Sequence, residues 1–155
     1  MAPRPPFRNV AILGTGLIGT SIGLALKAHR PAPLVVGWDK KQNNLAVALR
    51  RRALDRGVPT VRAALADADC VVIALPLEQI LRLLPQVMRL AHAGSLIIDT
   101  GSVKVPVMAL ARKLGRTRPD LRLAGGHPVA GSERSGPSAA HAEMFRGRPF
   151  AICLE

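Results

Sequence analysis

Asn9-Val10-Ala11-Ile12-Leu13-Gly14-Thr15-Gly16-Leu17-Ile18-Gly19 is the stretch on which the reading of this chain turns. A short apolar strand runs straight into a GxGxxG block, and from Leu17 onward the apolar positions recur at helical spacing. Alone, such a block carries little weight. With a strand before it and a helix after it, it has the context in which it holds a dinucleotide. Gly14 permits the tight turn, Gly16 leaves space for a pyrophosphate to approach the backbone, and Gly19 lets helix and strand lie close. Leu17 and Ile18 open the helix, whose free N–H groups and positive dipole end suit phosphate. The alternative is that these glycines, with Gly23 one turn further on, serve only helix-sheet packing.

Asp39 weighs against that alternative. It closes a second apolar strand, Leu34-Val35-Val36-Gly37-Trp38, 20 residues after Gly19, where an acidic side chain can accept the ribose hydroxyls of the adenosine half. It favours NAD over NADP, because its carboxylate would lie against a 2′-phosphate. Lys40 and Lys41 could turn inward and neutralise that phosphate, so NADP stays possible.

Working outward, residues 1–7 read as a disordered N-terminal arm and residues 8–155 as one dinucleotide-binding domain, since 155 residues hold one substantial core and no second one. Strands are expected at 9–13, 34–38, 70–75, 95–99, 121–124 and 149–154, with a very short third strand before residue 61. Helices are expected at 17–29, 43–56 (closed by Gly57), 61–66, 78–90, 103–114 and around 138–145, with Pro106 in a first turn. This alternation means an α/β, Rossmann-type, doubly wound and mostly parallel sheet with helices on both faces. The chain stops directly after a strand, which points to truncation before a further domain.

Composition narrows the partners. Lys and Arg outnumber Asp and Glu by 22 to 10, for a net charge of +12, which suits a solubilising surface or the steering of an anionic substrate or cofactor. The cations lack aromatic interleaving, so nucleic acid is not expected. Cys70 and Cys153 have no partners at ligand spacing, so no metal is expected and the compartment is read as reducing. The opening is too short and proline-rich for a signal peptide, and no apolar run approaches the roughly 20 residues of a membrane span. The expected location is the cytoplasm.

In an open parallel sheet, ligands gather beyond the carboxyl ends of the strands. Besides the glycine block, three segments fall there: Leu75-Pro76-Leu77, Asp99-Thr100-Gly101-Ser102-Val103-Lys104, and Gly126-His127-Pro128. Leu75 and Pro76 are expected beside the cofactor. Ser102 could be a site residue or simply a helix N-cap, and Lys104 a substrate-side residue or a surface one. His127 is more pointed. Dehydrogenation of an alcohol needs a group to take the hydroxyl proton as hydride departs, and neutral imidazole is matched to that task near pH 7. His29, His92 and His141 have no comparable setting and read as surface or helix-end residues.

Together with Val36-Gly37-Trp38-Asp39 and the run through Val71-Val72-Ile73-Ala74-Leu75-Pro76, the Asp99 to Lys104 block and Gly125-Gly126-His127-Pro128-Val129-Ala130-Gly131-Ser132-Glu133 resemble the prephenate/arogenate dehydrogenases of tyrosine biosynthesis. The last two blocks carry most of the specificity. The resemblance implies oxidative decarboxylation of prephenate to 4-hydroxyphenylpyruvate, or of arogenate to tyrosine, with hydride passing to NAD(P). It implies His127 as the catalytic histidine, Ser102 at the substrate hydroxyl or nicotinamide, and, more weakly, Glu133 at the substrate entrance. It further implies a C-terminal helical domain, absent from this chain, that builds a homodimer and supplies some of the cations for the substrate carboxylates. The chain alone is then expected to bind dinucleotide and catalyse little. The competing readings are another NAD(P) oxidoreductase of the hydroxyacid dehydrogenase or imine reductase type, and a nicotinamide-cofactor sensor without chemistry.

Overall fold

The computed structural model describes residues 6–130 and 134–154. Among the described residues seven strands form one sheet: β1 (Asn9–Leu13), β2 (Leu34–Trp38), β3 (Arg56–Gly57), β4 (Cys70–Ile73), β5 (Leu96–Asp99), β6 (Arg122–Pro128) and β7 (Phe150–Leu154). Their order is β3-β2-β1-β4-β5-β6-β7, parallel except for the antiparallel β6–β7 pair. Strand order reverses between β1 and β4, so the crevice for a ligand opens above their carboxyl ends. This is the expected doubly wound architecture.

Both faces of the central strands are buried, which is why β1 and β4 read as continuous apolar runs. Ala11, Leu13, Val71 and Ile73 pack one way, against Ile80, Leu84, Val87 and Met88 of α4 (Leu77–Leu90) and Val107 and Ala111 of α5 (Val105–Gly115). Val10, Ile12, Cys70 and Val72 pack the other way, with Leu45 and Ala48 and with Ile22. Those last three come from α2 (Gln42–Arg50) and α1 (Leu17–Ala28), which cover that face, while α3 (Val61–Leu65) joins α4 and α5.

The helix expected over 43–56 ends at Arg50. Arg52 takes a left-handed conformation (φ 59°), and the N–H groups of Arg52 and Ala53 bond to the carbonyls of Leu49 and Ala48. That is a Schellman stop built without glycine, and it frees Arg56 and Gly57 to pair with Val36 and Gly37 as β3. It also explains Gly23: a Cβ there would lie 2.4 Å from the Ala53 carbonyl oxygen.

Two further expectations are corrected. The sixth strand runs through Pro128 instead of stopping at 124, because β7 pairs with its end, Ala151 opposite His127 and Phe150 opposite Pro128. The helix expected around 138–145 is two short 3-10 turns, Pro137–Ala139 and Ala142–Phe145. This segment folds back over α1, tied by Ser21 Oγ, which accepts from the His141 N–H, and by Arg51, whose guanidinium donates to the Pro137 and Ser138 carbonyls.

Candidate functional site

The glycine block becomes a cradle through specific contacts. Gly14 has φ 97°, its N–H donates to the Trp38 carbonyl, and a Cβ would lie 2.4 Å from the Ala74 carbonyl oxygen. At Gly19 a Cβ would fall 1.9 Å from the Gly14 carbonyl oxygen, so α1 can approach the turn only without one. Gly16 differs: a Cβ there would meet nothing within 4 Å. Packing explains Gly14, Gly19 and Gly23 but not Gly16, whose open side faces the crevice. Gly16 is also the N-cap of α1, with no side-chain cap and no acidic residue in the first turn, so the helix start offers its N–H groups outward.

Asp39 sits at the end of β2, 5% exposed. Its Oδ2 accepts from the Thr15 N–H and hydroxyl at 2.7 and 2.9 Å, and its Oδ1 from the Lys41 N–H at 2.7 Å. The carboxylate therefore braces the glycine turn as well as lining the crevice. Thr15, which the sequence reading passed over, is its partner and is itself fixed by Thr20, whose hydroxyl donates to the Thr15 carbonyl.

Two adjoining hollows, which share Gly16, make up a trough across this cradle. One half is lined by Gly14, Gly16, Asp39, Asn44 and Gln79, with Lys40 and Lys41 exposed along it. The other half is lined by Leu17, Ile18, Thr100, Ser102 and Arg134. Leu75, Pro76, Ser135 and Gly136 border both halves. The trough thus joins the fingerprint, the β4 end and the β5 end, whereas Gly126, His127 and Pro128 at the β6 end do not line it. Arg134, Ser135 and Gly136 were missed, because what brings them here is the fold-back over α1, which no local pattern announces.

Ser102 is exposed and lies ahead of α5, whose N-cap is Lys104, so Ser102 does not cap the helix. Lys104 is neither a surface residue nor open to the trough. Its amine donates to Asp99 Oδ2 and to the Gly126 carbonyl, and its side chain is 16% exposed. Asp99 Oδ2 also accepts from the Gly101 N–H at 2.8 Å. His127 is half-buried on β6, two residues beyond Gly125, the partner of Asp99 in the register. Ser102 therefore follows the end of β5, and His127 lies among the last residues of the neighbouring β6. Glu133 lies outside the described residues. His29 and His92 are exposed, and His141 begins the second 3-10 turn.

Among the described residues there is no cluster of three or more His, Cys, Asp or Glu that could hold a metal ion, and no helix is long and apolar enough to cross a membrane.

Comparison with known proteins adds the family. The family described as prephenate dehydrogenase, nucleotide-binding domain, matches residues 22–154. Prephenate dehydrogenase of Lactococcus lactis subsp. cremoris is 34% identical over 149 residues, covering 96% of this chain and 41% of the relative. The Bacillus subtilis enzyme of the same name is 36% identical over 148 residues, covering 93% of this chain and 38% of the relative. This chain spans less than half the length of either. The crystal structure of prephenate dehydrogenase from A. aeolicus in complex with hydroxyphenyl propionate and NAD+ matches with a TM-score of 0.85 at 21% identity, over 100% of this chain and 52% of that one. At that identity the likeness speaks for the fold.

Proposed function

Because the chain belongs to the prephenate dehydrogenase nucleotide-binding domain family, we propose that it is the cofactor-binding part of an NAD-dependent dehydrogenase that oxidatively decarboxylates prephenate to 4-hydroxyphenylpyruvate. The observation that carries this is the trough of two adjoining hollows from Asp39 past the open Gly16 cradle to Ser102. Its shape fits a dinucleotide laid with adenosine ribose toward Asp39, pyrophosphate on the start of α1, and nicotinamide between Leu17, Ile18 and Ser102. Asp39, 5% exposed at the end of β2, would set its carboxylate against a 2′-phosphate and so favours NAD.

When bound, the nicotinamide supplies the acceptor for the hydride that leaves the hydroxyl-bearing ring carbon. The chain's own groups do the rest. His127 takes the proton of the ring hydroxyl, Ser102 holds that hydroxyl in line, and the trough orients the ring. As the carbon–carboxylate bond opposite the hydroxyl breaks, CO2 departs, its electron pair completes the aromatic ring, and the proton held by His127 returns to the ring oxygen to give the phenol.

The test uses full-length enzyme, with prephenate and arogenate each paired with NAD and NADP, following initial rates of reduced-cofactor formation. We expect the best rate with prephenate and NAD, and His127→Asn to lower kcat roughly 100-fold or more while leaving NAD affinity unchanged. A faster rate with arogenate would replace the substrate. Unchanged turnover in His127→Asn would remove the base.

A further inference from the structure

The proposed base sits on a strand end that outruns its neighbour. β5 pairs with β6 only as far as Asp99 opposite Gly125, whereas β6 continues through Gly126, His127 and Pro128. On one edge that overhang is held by β7. On the other, the Gly126 carbonyl accepts from Lys104 Nζ at 2.8 Å, and the same amine pairs with Asp99. One lysine thus ties the residue immediately before His127 to the end of β5. The segment leading to Ser102 is tied to the same point, since the Gly101 N–H donates to the same Asp99 oxygen.

The neighbouring glycines fit this device. At Gly125 a Cβ would lie 2.6 Å from Met108 Sδ and 3.1 Å from Lys104 Cδ, so any larger residue would push the lysine stem away. At Gly126 a Cβ would lie 2.7 Å from the Asp99 carbonyl oxygen. The glycine pair ahead of His127 is therefore the groove in which the lysine lies and the place where β6 meets the end of β5.

Net stability is a poor account of the pair. Asp99 is 3% exposed, and among the described residues its Oδ1 is buried without a hydrogen-bond partner. Desolvating a lysine and an aspartate this far, with one oxygen left unsatisfied, commonly gains little over apolar packing. What the pair does provide is a fixed geometry between two strand ends.

We infer that Lys104 is a positioning residue, clamped by Asp99, that holds His127 and the Ser102 segment in mutual register for proton transfer. This rests on the reading of His127 as the base. It acts through the backbone at Gly126 and needs no contact with substrate or cofactor.

The test is a double-mutant cycle in full-length enzyme. Lys104→Met keeps the stem in the glycine groove and removes the amine. It is expected to lower kcat about 10- to 100-fold, because small misplacement of a reacting group costs that much. NAD affinity should stay within about twofold, as the trough half that holds the phosphates is not touched. In a His127→Asn background the same change should cost less than about threefold, since the group being positioned is already gone. Full additivity, or an unchanged kcat in Lys104→Met alone, would overturn the inference. Lys104→Arg, which retains a cation and donors, should recover part of the rate, and the cycle is run with it if Lys104→Met does not fold. A wild-type kcat in His127→Asn would be a different failure: it would sink the base assignment itself, and the clamp's stated target with it.

Discussion

The glycines of the fingerprint look alike in the sequence and are separated by what surrounds each one. Gly19 faces the Gly14 carbonyl oxygen at 1.9 Å from a would-be Cβ, a contact with backbone that cannot move without opening the turn. Gly16 faces open trough. The two alanine variants should therefore fail differently. Gly19→Ala should lose several kcal/mol, because the overlap is with main chain and not with a flexible side chain. Gly16→Ala should lose no more than about 1 kcal/mol in the absence of cofactor, and helix N-cap preference sets even that. Its methyl would occupy the phosphate approach, so NAD affinity should fall at least about tenfold. Urea denaturation and cofactor titration of both variants check this; equal affinity in Gly16→Ala and wild type would show that the cradle does not hold the pyrophosphate. At this scale the sequence was informative where one residue meets its own neighbourhood, as where Gly19 meets Gly14. It was silent where the partner arrives from another strand: nothing local to Lys104 announces Asp99 on β5 or the Gly126 carbonyl on β6.

Elements whose limits are set locally were legible in advance. β1, the glycine turn and α1 follow from composition and periodicity, and Pro106 marks the first turn of α5. β6 was not, since it owes its last residues to β7, and neither was the end of α2, where a left-handed Arg52 does what a glycine usually signals. β4 shows a further consequence of double burial. Cys70, at its start, is 5% exposed, and burial pushes its thiol up to about 12, reinforced by the Asp69 carboxylate and opposed by Arg122. The unfolded chain releases that proton near the ordinary thiol value of 9.0, so between there and about 12 the folded state binds more protons. Stability must then be complete below about pH 9 and decline above it, by about 2 kcal/mol near pH 10.5. Urea midpoints measured at pH 7 and near pH 10.5 should fall further for the wild type than for Cys70→Ala, in which lysine titration remains but the thiol does not. Parallel declines would show that Cys70 is not the group responsible. The folded thiol should also resist iodoacetamide at pH 8 until denaturant is added.

At the level of the whole molecule two surface properties oppose one another. The net charge of +12 keeps copies apart through repulsion that salt screens. β7, last in the strand order, exposes Phe150 at 42%, Ile152 at 59% and Leu154 at 79%. Val129 stands beside it at 49%, its N–H on the Pro149 carbonyl. An apolar edge strand of this kind is a template for pairing with another chain. Which property wins depends on ionic strength, because screening weakens the repulsion while leaving apolar attraction in place. The 155-residue chain should therefore sediment as a monomer at low salt and associate as sodium chloride is raised toward 0.5 M. Ile152→Lys adds a charge at the middle of the exposed strand and should hold the chain monomeric across the same range. Sedimentation velocity decides it: if the variant and the wild type associate equally at every salt concentration, the contact lies elsewhere on the surface and β7 is not the edge that copies share.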